Sequence, residues 1–112
     1  MNKLELQKTA NEIRKGIVTA VHSAKAGHPG GSLSAAELFT YLYFEEMNID
    51  PEQPKKADRD RFVLSKGHTA PGLYSTLANR GYFPVAYIII FCGGIGRDSI
   101  MNYHIFRNDY PA

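Results

Sequence analysis

The chain has 112 residues, 44% of them hydrophobic and 21% charged, with a formal net charge of +2 and one cysteine. Such a chain holds at most one domain with a feasible core, and it is neither a disordered polyelectrolyte, a disulfide-stapled secreted scaffold nor a strongly basic nucleic-acid binder. The polar start M-N-K-L-E-L-Q-K lacks the apolar region of a signal peptide, and the run Val85–Cys92 falls short of the roughly 20 residues that cross a bilayer, so a soluble, cytoplasmic protein with no membrane or nucleic-acid partner is expected.

Leu4 to about Lys25 has a helical period, with Leu6, Ala10, Ile13, Ile17, Ala20 or Val21, and Ala24 recurring on one face. Gly16 weakens that helix by about 1 kcal/mol relative to alanine. Gly27 is placed to end it in the left-handed conformation, and Pro29 prevents its resumption. Gly30 and Gly31 permit conformations or close approaches that a β-carbon would resist. S-A-A-E, Ser34 to Glu37, has the form of a capping box; the helix it opens carries Ala35, Leu38, Phe39, Leu42, Tyr43 and Met47 on an apolar face.

Asn48–Asp60, with two prolines and dense charge, reads as loop, and its D-R-D as a solvated charge run or an ion pair leading into a strand. That strand is the buried R-F-V-L-S of Arg61–Ser65. Thr69 is a candidate N-cap with Pro71 in the first turn; Leu73, Tyr74, Leu77 and Ala78 face inward, and Gly81 stops the helix. From Pro84 the character changes. V-A-Y-I-I-I-F-C is strand-like without alternation, hence buried on both faces. G-G-I-G-R-D after it lacks the spacing of a dinucleotide loop, and the aromatic tail has no assignable register. The order of elements is an α/β pattern, helix-rich, with one or two strands.

Two loops, A-G-H-P-G-G-S and S-K-G-H-T-A-P-G, each set one histidine among Gly and Pro ahead of a helix, as on a shared binding surface. A strand that turns directly into a helix presents free N–H groups at the sheet edge, and Lys66, His68 and Thr69 add side-chain donors, which together suit a phosphate or diphosphate. The alternative is a turn with a solvent-facing His and Lys. His28, held between Gly27 and Pro29, has the constraint wanted of a general acid or base or an oxyanion donor, or simply packs in a tight turn. His22 reads as structural at the edge of the first helix, and His104 has no role. No H-x-x-x-H, C-x-x-C or regular acidic series supports a metal.

G-H-P-G-G-S-L-S-A-A-E-L followed by D-R-D-R-F-V-L-S-K-G-H resembles the start of the transketolase family, most nearly the N-terminal subunit of its split, two-gene form, over Leu4 to Pro84. The resemblance implies part of a doubly wound thiamine-diphosphate-binding α/β fold with an active site shared across a dimer interface. It also implies thiamine diphosphate, a divalent metal, usually magnesium, and transfer of a two-carbon ketol unit between sugar phosphates, a reaction of the pentose phosphate pathway. His28 would face the substrate, and His68 would lie beside the cofactor diphosphate with Lys66, Gly67 and Thr69. Thr69 stands where relatives often carry Ala or Gly. After Phe83-Pro84 the family's further loops are absent, as are the G-D-G and Asn that hold the metal and the glutamate that activates the cofactor. The expectation is therefore residues 1–84 as the N-terminal part of a diphosphate-binding domain and 85–112 as a divergent, frameshifted tail. Metal ligands would be missing, the fragment inactive alone, a C-terminal transketolase subunit its partner, and self-association its tendency. A non-catalytic phosphate-binding or interaction module, or a partly folded gene remnant, is the alternative.

Overall fold

The computed structural model describes residues 1–25 and 28–88. Helix α1, Lys3–Ala24, opens with a capping box absent from the expectations above: Glu5 N donates to Asn2 Oδ1 at 2.8 Å, and the Glu5 carboxylate accepts from Asn2 N. Its buried stripe is Ala10, Ile13, Ile17 and Ala20, as the periodicity predicts. Lys25 closes it in the left-handed region, φ 54°, its N–H bonded to the His22 carbonyl. Gly27, the expected terminator, lies outside the described residues. His22 is exposed, not at the edge of a buried face.

The next segment differs from expectation. Pro29–Ser34 is a short helix, α2, with Pro29 at its first position, where the fixed φ of proline is already helical. The chain then breaks at Ala35 and resumes as α3, Ala36–Tyr41, which widens into a π-turn over Leu42–Glu46. The Ser34 capping box does not form. Ser34 Oγ donates to the Gly31 carbonyl at 2.9 Å, inside α2, and Glu37 pairs with Arg14 of α1. With the helix start displaced, the buried face rotates to Ala36, Phe39, Thr40 and Tyr43, and Leu38 is left 58% exposed.

Asn48–Asp60 is a closed loop. Asn48 N donates to Asp60 Oδ2 at 2.6 Å, Asp60 N returns to the Asn48 carbonyl at 2.9 Å, and Asn48 Nδ2 reaches the Asp58 carbonyl at 3.0 Å. Asp60 thus clasps the loop ends, and Arg59, expected in a solvated run, is 6% exposed. The strand expected at Arg61–Ser65 does not form, and among the described residues there is none. Phe62 and Leu64 still lean on the core while Val63 between them is 60% exposed. That is the alternation of a strand surface with no neighbour to complete a ladder. Val85 to Ile88 is not a strand either: Val85 and Ala86 form a turn and Tyr87 and Ile88 are helical, with Tyr87 N bonded to the Pro84 carbonyl and Ile88 N to that of Val85. The rest of that expected strand, the G-G-I-G-R-D run and His104 lie outside the described residues.

A 3₁₀ turn, Gly67–Thr69, leads into α4, Ala70–Arg80, which Gly81 ends at φ 111° as expected. α1, α2 and α3 pack around α4. Its residues Gly72 to Ala78 are all buried, and Leu73, Tyr74 and Leu77 form the core with Phe39, Tyr43 and Ile88. Among the described residues no helix is long and apolar enough to cross a membrane.

Candidate functional site

The two histidine loops meet. His28 is the N-cap residue of α2, at φ −121° and ψ 93°, and its side chain does not cap its own helix. His68 stands in the 3₁₀ turn ahead of α4. Their rings face each other edge-on, with centroids 5.9 Å apart and planes at 84°. Both are exposed, as are Lys66 and Gly67 beside them.

The contact comes from how α2 lies on the start of α4. Buried Ser32 accepts at Oγ from Gly72 N at 3.2 Å. A β-carbon on Gly72 would come within 2.8 Å of Phe39 Cε2 and 3.2 Å of Ser32 Cβ, so only glycine allows this approach. Sequence reasoning missed Ser32 and Gly72; the available signal was the small residues beside each histidine, in G-G-S and A-P-G.

Thr69 is fully buried under the site. It occupies the N-cap position of α4, but its hydroxyl donates to the Lys66 carbonyl at 2.6 Å rather than capping the helix. The backbone donors expected here are largely engaged. Thr69 N bonds to the Lys66 carbonyl and Ala70 N to that of Gly67, Pro71 has no N–H, and Gly72 N goes to Ser32. The N–H groups of Gly67 and His68 stand ahead of this ladder, beside the exposed side chains of Lys66, His68 and His28. This set of donors around an ammonium suits an anion. It does not suit a metal cation: among the described residues no group of three or more His, Cys, Asp or Glu converges.

Residues 6–88 match the family described as the transketolase, thiamine diphosphate binding domain. The chain belongs to that family. It is 49% identical over 83 residues to the 6-deoxy-6-sulfo-D-fructose transketolase subunit of Clostridium sp. (strain MSTE9), covering 74% of this chain and 30% of that protein. It is 51% identical over 79 residues to an apulose-4-phosphate transketolase subunit of Phocaeicola vulgatus, covering 70% and 27%. With the transketolase of Homo sapiens it shares 40% over 84 residues, covering 75% and 14%. The chain therefore spans less than a third of the length of these relatives. Both bacterial relatives are subunits by name, which bears out the resemblance to the split form.

Proposed function

We propose that this chain supplies the diphosphate-facing part of a transketolase-type site, which moves a two-carbon ketol unit between sugar phosphates with thiamine diphosphate. The observation that carries the reading is the His28–His68 pair, two imidazoles from separate helix starts facing each other at 5.9 Å. His68, Lys66 and the Gly67 backbone hold the diphosphate, and Thr69 fixes the turn that presents them. His28, across from them, donates to or accepts from a substrate hydroxyl. When bound, the cofactor supplies the carbanion chemistry of the transfer. Magnesium finds no ligand set among the described residues, so its ligands and the group that activates the cofactor are assigned to other parts of the assembled, cytoplasmic enzyme.

The doubly wound sheet belongs to that assembly too. The alternation of Phe62, Val63 and Leu64 supports a strand that pairs once a neighbour is present. On this reading the chain is inactive by itself and needs a C-terminal transketolase subunit. Residues 85–112 are read as a divergent, frameshifted tail; if neither other reading frame of the gene restores the missing family loops, the frameshift account fails.

Calorimetric titration of the chain with inorganic diphosphate, then a ketol-transfer assay in the presence of a C-terminal subunit, tests the proposal. His68→Ala is expected to weaken diphosphate binding at least tenfold, about 1.4 kcal/mol. His28→Ala is expected to leave it unchanged and to abolish transfer. Binding without transfer marks a non-catalytic phosphate-binding module instead, and neither binding nor transfer leaves the gene remnant.

A further inference from the structure

His28 and His68 lie on different segments, and both side chains are exposed, so no packing of the imidazoles themselves accounts for their spacing. The spacing is set where α2 rests on the 3₁₀ turn, and there the contact falls on Gly31. We propose that Gly31 is a positioning residue, whose missing β-carbon lets the loop bearing His28 approach His68. A β-carbon at Gly31 would lie 3.0 Å from Thr69 Cγ2 and 3.4 Å from both Cδ2 and Nε2 of His68. Thr69 cannot retreat, because it is fully buried and its hydroxyl is tied to the Lys66 carbonyl. The added carbon therefore pushes α2 outward or swings the His68 ring, and either changes the pair.

The glycine is not needed for its backbone conformation. Gly81 is the one described glycine in the left-handed region, and Gly31 sits in an α-helix, where alanine is the better residue. Nor is the requirement general to the G-G pair, since a β-carbon on Gly30 meets nothing within 4 Å. Space against His68 and Thr69 distinguishes position 31. The inference deepens the anion-site reading above and rests on the two histidines acting as one site.

NMR on the full chain tests it. The unmodified protein is expected to show cross-relaxation between the Gly31 α-protons and the His68 ring proton on Cδ2, and its absence overturns the proposal whatever the variants do. His28→Gln is expected to shift the His68 imidazole signals in the parent and in Gly30→Ala, but not in Gly31→Ala. Adding Thr69→Ser, which removes the obstructing methyl and keeps the hydroxyl, is expected to restore the coupling. A folded Gly31→Ala with the coupling intact, or an equal loss in Gly30→Ala, overturns the assignment. The two readings separate cleanly. Cross-relaxation without diphosphate binding sinks the functional reading alone, and diphosphate binding without cross-relaxation sinks the role of Gly31 alone.

Discussion

At Gly16 two effects of similar size oppose each other. Alanine gains about 1 kcal/mol of helix propensity there, whereas overpacking a buried contact costs about 1–3 kcal/mol. A β-carbon on Gly16 would fall on Ser75 Oγ, 3.2 Å from Ser75 Cβ and 3.3 Å from Ile88 Cδ1. Ser75 is fully buried and its hydroxyl donates to the Ile13 carbonyl at 2.8 Å, so it cannot swing aside. Packing wins: Gly16→Ala is expected to lower the urea midpoint, and a rise would show that α1 and α4 part easily. From the sequence Gly16 is only a weak point in a helix, because the partner that explains it bonds to a carbonyl 62 residues away. A second residue carries a pH effect. The Tyr41 phenol donates to the Glu46 carboxylate at 2.9 Å, and this bond holds its pKa above the ordinary value of about 10. The folded state thus favours the neutral phenol, and that contribution is full below the unfolded pKa and lost as pH rises through the folded one. Glu46→Gln is expected to bring the Tyr41 midpoint down towards 10 in a titration followed by ¹³C-labelled tyrosine NMR; an unmoved midpoint counts against the bond.

Among the elements, α2 is where local sequence and tertiary structure part company. Periodicity locates α1 and α4 and most of their buried residues, because an amphipathic stripe and a terminal glycine are local signals. It reads Pro29–Ser34 as loop, since a proline and two glycines are poor helix formers in isolation. What makes the segment helical is burial against α1 and α4. The same blindness puts a cap at Ser34 and a strand at 61–65, each right in local chemistry and lacking the neighbour it needs. Two serines decide between the accounts. Ser32→Ala strands the buried Gly72 N–H and is expected to cost about 1–3 kcal/mol. Ser34→Ala, on the exposed side, is expected to stay within about 0.5 kcal/mol. Were Ser34 the cap, the order of the two in chemical denaturation would invert.

For the whole molecule, the candidate site is legible in the sequence as two separate loops, each with one histidine, and the family match covers both. Their junction is not legible: Gly31, Ser32 and Gly72 stand out as small residues beside the histidines, but which of them touch is decided across the fold. Apolar side chains also remain outside: Leu38 and Val63 are exposed, and Tyr41 edges an open groove of about 530 Å³ between α1 and α3. Apolar surface left in water favours association. Sedimentation velocity is expected to show mass rising with concentration, and a monomer across the range would refute this.

Helix α4 has almost no outward side, since Gly72 to Ala78 are buried in succession and every other helix leans on it. No neighbour can lift away without wetting it, so its amide protons are expected to exchange with solvent only through global opening. His68 stands at the rim of that slowest-exchanging segment. The turn that carries His68 is thus anchored to the last part of the molecule to open.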